Sequence, residues 1–436
     1  MSKLDYSEQV DSPHKTTQTI GVVQQTNLRY LEKLLTEKWN LGQNILLCWS
    51  VVPSGVQVLV VPHYYLGKFS ASLNDSAPVD RLDILNGRFI RELISGSRQL
   101  SFEDLVSTAR RLNLKPVQIS LPVTLSLDKE ILKAVDALIK RYSINFVKSR
   151  AVLLFDIVNF TLVTPFEQTS QLNSLSYSLN SACHKLLKNN IEISFSRSTT
   201  GDGYYVWNNS TGDRADMELF QFMLLVLADN AIAQRKASLN CVPTIRTGFH
   251  IGSHYEFYQV EHGSPGMNNY IVGDVTIELA RMLDIAQTGQ IFIGDFEAKV
   301  PTSNRENAYL VSADSQGFVE RASKNAQDLL GIELSDERIQ AIHCYLTGDT
   351  GACGGQTVRR FRITDKHGCV RTAYNLRINI RSEKSAPIIL GKQSSELPKR
   401  KRYRRRRVGE NKSVSGKYPA TAIRPRSMAS IAAYED

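Results

Sequence analysis

Two short stretches decide how this chain is read: Phe155-Asp156-Ile157-Val158-Asn159-Phe160-Thr161 and Thr200-Gly201-Asp202-Gly203-Tyr204. The first closes the apolar run Ala151-Val152-Leu153-Leu154-Phe155, which has the composition of a buried strand. The second sets an aspartate between two glycines, the chemistry of a turn between strands. A lone aspartate in such a turn usually serves the turn alone. Two carboxylates at the ends of neighbouring strands can instead share divalent cations. Hard ions such as Mg²⁺ take one or two carboxylates together with substrate phosphates. A pair of them can activate a hydroxyl and stabilise the leaving oxygen of an in-line phosphoryl displacement.

Elements on either side of these stretches give them a setting. Residues 127–142 form an amphipathic helix, with Ile131, Val135, Leu138 and Ile139 on one face. After Thr161 a second helix carries Leu172, Leu175, Leu179 and Leu186 at helical spacing, with Thr169 or Ser170 as its cap. Residues 191–195 alternate as a strand, and 204–208 form the next one after the Gly-Asp-Gly turn. A helix over 217–238, a strand over 242–250, a helix over 274–285 and a strand over 290–293 follow. The order β-α-β-β-α-β-α-β implies an α/β (α+β) fold with a ferredoxin-like or palm-like sheet.

The chain has 436 residues, enough for two or three domains. Residues 1–25 read as a flexible N-terminus, and 26–145 as an N-terminal α/β module with a regulatory or packing role. Residues 148–300 read as the core that carries the paired aspartates, and 301–357 as an irregular insertion or sensor segment. Residues 358–383 read as a closing hairpin, and 384–436 as a disordered basic tail. The net charge of +10 belongs to that tail, which holds 14 Lys/Arg and 4 Asp/Glu. The remaining body is neutral, which argues against a protein that coats nucleic acid over its whole surface. The run Lys399-Arg400-Lys401-Arg402-Tyr403-Arg404-Arg405-Arg406-Arg407 would attract a polyanion, or simply solvate the tail. The six cysteines make no Cys-x-x-Cys pair, so neither a zinc site nor a redox motif is indicated. No hydrophobic signal region opens the chain. The longest apolar run, Phe222 to Ala228, is far short of the ~20 residues that span a bilayer. A cytoplasmic protein is expected.

The motifs closely resemble the class III nucleotide cyclase catalytic domain. Leu154-Phe155-Asp156-Ile157-Val158-Asn159-Phe160-Thr161 resembles that family's first metal motif, and Gly201-Asp202-Gly203-Tyr204 its second. Arg246-Thr247-Gly248-Phe249-His250-Ile251-Gly252 and Gly273-Asp274-Val275-Thr276-Ile277-Glu278-Leu279-Ala280-Arg281-Met282 resemble two further segments. The resemblance implies that Asp156, Asp202 and the backbone carbonyl of Ile157 hold two Mg²⁺ or Mn²⁺ ions. It implies that Arg281 stabilises the transition state across a homodimer interface. It also implies that Lys366, in the turn Asp365-Lys366-His367-Gly368, binds the triphosphate. The ordinary alternatives are an ion pair between Arg281 and Glu278, a solvated hairpin lysine at 366 and a buried core histidine at 250.

The sequence departs from the family where the base is chosen. Ser198 and Tyr270 stand at positions usually held by Lys or Glu and by Asp, and they reproduce neither purine code. A bulky tyrosine leaves room for a smaller base. The segments around both residues look like the pyrimidine cyclases of bacterial Pycsar antiphage systems. That resemblance implies cyclic CMP or cyclic UMP made from CTP or UTP, acting on a separate effector protein. A purine cyclase with a rearranged pocket and a catalytically silent nucleotide sensor are the competing readings. Ile277 replaces the family's second transition-state residue, an asparagine, so Thr276 or Asn268 is the candidate substitute donor.

Overall fold

The computed structural model describes residues 20–40, 42–67, 81–237, 240–260, 267–301, 310–335, 337–350, 356–365 and 368–397. The basic run 399–407 lies outside them. The N-terminal region comprises α1 (Val22–Trp39), β1 (Asn44–Val52), β2 (Gly55–Pro62), α2 (Arg81–Leu93), α3 (Phe102–Arg111), β3 (Val117–Ser120) and α4 (Lys129–Arg141). Its three strands make an antiparallel sheet in the order β1-β2-β3. One face of that sheet packs on α1 and α4 through Leu31, Leu35, Leu46, Trp49, Val135 and Ile139.

The main sheet begins with β4 (Ile144–Ile157), followed by α5 (Pro165–Lys188), β5 (Phe195–Thr199), β6 (Gly203–Asn208) and α6 (Asp213–Lys236). Then come β7 (Ile245–Val260), β8 (Met267–Val272), α7 (Asp274–Asp284), β9 (Ile291–Gly294), β10 (Glu297–Pro301), β11 (Leu310–Asp314) and α8 (Ser315–Asn325). The described chain ends with β12 (Glu333–Leu334), β13 (Glu337–Leu346), β14 (Gly348–Thr350), β15 (Gln356–Val358), β16 (Arg360–Thr364), β17 (Val370–Ser382) and β18 (Ile388–Leu390). The sheet runs β12-β13-β17-β9-β7-β4-β6-β5, with β8 on β7 and both β16 and β18 on β17. β4 lies antiparallel between β6 and β7, and among the described strand pairings of this sheet β7–β9 is the parallel one. This is the palm-like α+β arrangement expected from the order of elements.

Alternation along β4 sets up two layers. Ala151, Leu153, Phe155 and Ile157 face α5 and α6. Val152 and Leu154 face α7, with Val275, Leu279 and Met282. Because successive strand side chains point to opposite faces, Asp156 continues the set that faces α7. The helix before the hairpin starts where sequence chemistry permits, though not at Thr169 or Ser170. Thr164 and Glu167 form a capping box and Pro165 occupies the first turn.

Several expected boundaries move. Residues 191–194 are not strand: Ile191 N–H bonds the Leu186 carbonyl and extends the end of α5, so β5 begins at Phe195. Residues 301–357, expected to be irregular, supply α8 and the ten-residue β13, which pairs with β17 in the main sheet. Residues 384–397, expected in the tail, include β18 on β17, with Ile388 and Leu397 buried. The expected boundary near residue 145 falls inside β4. Ile144 and Phe146 of β4 and Tyr255 of β7 pack into the second core of the N-terminal region.

The Asp136 carboxylate ties that junction together. It accepts bonds from Trp49 Nε1 (3.0 Å), Arg98 N (2.6 Å) and Gln99 N (3.1 Å), and pairs with Lys140 (2.9 Å). The buried Arg98 guanidinium donates to the carbonyls of Leu93 and Ile144 and to Asn145 Oδ1. Asp136→Ala would strand these donors, and losing a partner from a buried charged network costs about 3–5 kcal/mol. Urea denaturation of the full chain should show a loss of this size.

Candidate active site

Asp156 and Asp202 meet because β4 and β6 are neighbours. Asp156 lies opposite Gly203 in the register. The Ile157 N–H donates to the Asp202 carbonyl (2.9 Å) and Thr200 N–H to the Gly203 carbonyl (3.0 Å), which closes the turn on the end of β4. Both glycines are required. Gly201 has φ +99°, a left-handed conformation, and a Cβ on Gly203 would lie 1.9 Å from the Phe155 carbonyl oxygen. The Thr200 hydroxyl donates to Asp202 Oδ1 at 3.4 Å.

Arg246 sits across from Asp156 on β7. Its Nε donates to Asp156 Oδ2 at 2.8 Å, and its Nη2 bonds the same oxygen. Burial pushes the Asp156 carboxyl above its usual range; Arg246 pulls it down, and the nearby Asp202 and Asp284 push it up. In the sequence Arg246 stands only at the start of a motif, with nothing to mark it as a partner of Asp156. The detectable signal was register: Arg246 and Gly248 share the α7 side of β7, and a Cβ on Gly248 would touch Leu279.

A divalent cation fits this donor set. Asp156, Asp202 and the Ile157 carbonyl offer hard oxygens only, the preference of Mg²⁺ and Mn²⁺. Both Arg246 contacts use Oδ2, so Oδ1 of Asp156 remains for another partner. Among the described residues no group of three or more His, Cys, Asp or Glu is arranged to hold a metal.

The α7 residues divide into structural and available groups. Thr276 Oγ1 bonds both N–H and carbonyl of Gly273 and is buried, so it serves the helix start and is not a free donor. The Asn268 side chain is outside the described residues. Ile277 is 46% exposed, one turn from Arg281. Arg281 pairs with Asp284 (2.9 Å), while its buried Nε has no hydrogen-bond partner among the described residues. The ordinary alternative, an ion pair between Arg281 and Glu278, does not form. Glu278 is taken by Arg371 (2.6 Å), which also bonds Asp365 (2.8 Å) and thereby fastens the β16–β17 hairpin to α7. Lys366 lies outside the described residues.

Ser198 is half-buried on β5, opposite Tyr205. Tyr270 is half-buried on β8 and stacks on Phe257, with ring centroids 5.4 Å apart and planes at 16°. The two strands touch through Asn269, which donates to Ser196 Oγ at 3.1 Å. Among the described residues no bond joins Ser198 to Tyr270.

His250 is a buried core residue, the ordinary alternative weighed from the sequence. Burial lowers the pKa of both His250 and His254 to about 4. Their contribution to stability is complete above about 6.5 and is lost as pH falls towards 4, because the unfolded chain takes up protons that the folded chain refuses. Asp216 works the other way. Burial raises its pKa to about 7, so its contribution is lost as pH rises from 3.8 to 7. Between pH 4 and 6.5 the two histidines make acidification destabilising, while Asp216 opposes them, together with Asp156, Asp213 and Glu278, whose carboxyls burial also raises. Asp216→Asn removes one opposing group, so it should steepen the loss of stability on acidification in denaturation curves taken across this range.

No family model matches this chain, and no curated protein matches it. Among solved structures it is similar to the guanylate cyclase domain of RhGC from Catenaria anguillulae in complex with GTP. The identity is 13% and the TM-score 0.31, over 55% of this chain and 100% of that one. It is also similar to the adenylyl cyclase CyaB from P. aeruginosa, at 14% identity and TM-score 0.32, over 56% of this chain and 97% of that one. The guanylyl cyclase Cya2 follows at 11% and 0.33, over 53% and 92%. At these TM-scores the likeness carries no functional weight.

Proposed function

We propose that this chain is a nucleotide cyclase that converts CTP or UTP to cyclic CMP or cyclic UMP and pyrophosphate. The observation that carries the proposal is the meeting of Asp156 and Asp202 at adjoining strand ends, on the side of the sheet covered by the Arg281 helix. Asp156, Asp202 and the Ile157 carbonyl would hold two Mg²⁺ or Mn²⁺ ions. Those ions, when bound, would supply the charge that acidifies the ribose 3′-hydroxyl and neutralises the departing pyrophosphate. The 3′-oxygen forms a bond to the α-phosphorus, the bond from that phosphorus to the bridging oxygen breaks, and the hydroxyl proton passes to solvent. Arg246 keeps the Asp156 carboxylate oriented. Arg281, acting on nucleotide held by the second subunit of a homodimer, spreads the charge that develops on the α-phosphate.

Ser198 and Tyr270 support a pyrimidine substrate. A buried polar base edge is discriminated strongly because a mismatch leaves groups unpaired. A serine hydroxyl and a tyrosine cannot present the Lys–Asp pair that matches adenine. Lys366 would meet the triphosphate. The cyclic product would serve as a messenger in antiphage defence and act on a separate effector, and the run Lys399–Arg407 would add contact with a polyanion. Among the described residues no helix is long and apolar enough to cross a membrane, which is compatible with a cytoplasmic site of action.

The test is incubation of purified protein with Mn²⁺ and each of ATP, GTP, CTP and UTP separately, with products identified by mass spectrometry. A cyclic pyrimidine nucleotide, absent with Asp156→Ala, is the expected product. Cyclic AMP or GMP would overturn the base assignment and leave the cyclase reading standing. Tight Mn²⁺-nucleotide binding without product would favour the silent sensor.

A further inference from the structure

A second cleft lies away from the paired aspartates, between α5, α6 and the turn that joins β12 to β13. Its volume is about 580 Å³, within the range of small-molecule sites. Four strong cations line it: Lys185 and Lys188 from α5, Lys236 from α6, and Arg338 from the start of β13. Lys185 is spoken for, since it pairs with Asp229 and also donates to Ser181 Oγ at 3.0 Å. Among the described residues Lys188, Lys236 and Arg338 have no ion-pair partner, and they face a single remaining carboxylate, Glu333.

Lysines in the last turns of helices offset the helix dipole, and that accounts for Lys188 and Lys236 taken singly. It does not account for Arg338. That residue comes from a strand distant in sequence, through a tight connection in which Ser335 adopts φ +48°. Three unpaired cations from three elements around one cleft form an electrostatic well for a small polyanion. Tyr177, 73% exposed on α5, also lines the cleft and offers an aromatic face.

We propose that this cleft binds a small ligand carrying several phosphate groups, separate from the substrate site. Guanidinium and ammonium groups recognise phosphate oxygens through charge-assisted hydrogen bonds. Arg338 leads into β13, β13 pairs with β17 from Ile339 to Leu346, and β17 also carries Arg371, the residue that bonds Glu278 on α7. A ligand at the cleft therefore contacts a strand ladder that leads to the Arg281 helix.

Calorimetric titration of the full chain in EDTA, with inorganic tripolyphosphate as the probe, tests the site without metal at the aspartates. Saturable one-to-one binding is expected, and it should persist in Asp156→Ala protein. Lys188→Glu/Arg338→Glu should weaken it at least tenfold. If that pair alters the melting temperature, the milder Lys188→Gln/Arg338→Gln should still weaken it severalfold. Repeating the titration with CTP separates the ligand sources. Tighter binding than tripolyphosphate, reduced by Tyr177→Ala, marks a nucleotide; equal binding marks the polyphosphate itself. Absence of saturable binding, or equal affinity in folded variants, overturns the proposal.

Discussion

Asp156→Ala should lower cyclic nucleotide formation by a factor on the order of 10³ or more while the protein stays folded. The size follows from position. Asp156 ends the β4 series that points towards α7, half-buried, where a carboxylate interacts more strongly with a cation than it would in water. Losing one well-placed electrostatic partner of a transition state commonly costs ~10²–10³ in rate, and a carboxylate that holds metal contributes to both ions' placement. The stability cost should be small. Asp156 breaks no core packing, and the Arg246 side chain left behind is 26% exposed and so partly solvated. Activity measured beside the thermal midpoint separates the two effects. A variant that is folded and retains more than about a tenth of wild-type turnover would remove Asp156 from the chemistry.

The site and the sheet that holds it differ in how far the sequence declares them. Residues 151–155 are an uninterrupted apolar run because β4 is buried on both faces, by α5 and α6 on one side and α7 on the other. The turn at Asp202 is announced by glycines that nothing else can replace. β13 was illegible for an equally local reason. Its buried residues Ile339, Ile342, Cys344 and Leu346 do not alternate cleanly, because a bulge between Ile339 and Ala341 breaks the period. The short apolar run at residues 388–390 was hidden by the basic composition around it. Arg246 on Asp156 and Arg371 on Glu278 are tertiary pairs, separated by 90 and 93 residues. Spacing along one chain shows at most which face of β7 carries Arg246 and names neither partner. Glu278 beside Arg281 looked like a helical ion pair, yet Asp284 takes the arginine and Arg371 takes the glutamate.

Arg281→Ala should reduce turnover by ~10²–10³, the usual cost of deleting a charge-stabilising donor, and should leave folding intact because Arg281 contributes only a partly exposed pair with Asp284. The informative experiment mixes it with Asp156→Ala. In its own chain Arg281 bonds Asp284, and among the described residues it contacts neither Asp156 nor Asp202. If the arginine serves the aspartates of a second subunit, a heterodimer of the two variants has one site with both defects and one with neither. Random pairing then restores about a quarter of wild-type activity from two inactive proteins, through the isologous geometry of a two-fold dimer. If the arginine acts within its own chain, each site in the mixture keeps one defect and activity stays at the level of the separate variants. Size-exclusion chromatography of the mixture establishes whether a dimer forms. Restoration without a dimer would contradict the shared-site mechanism. Failure to restore activity in a confirmed heterodimer would move Arg281 to its own subunit's site, with Asp284 as the partner it must leave.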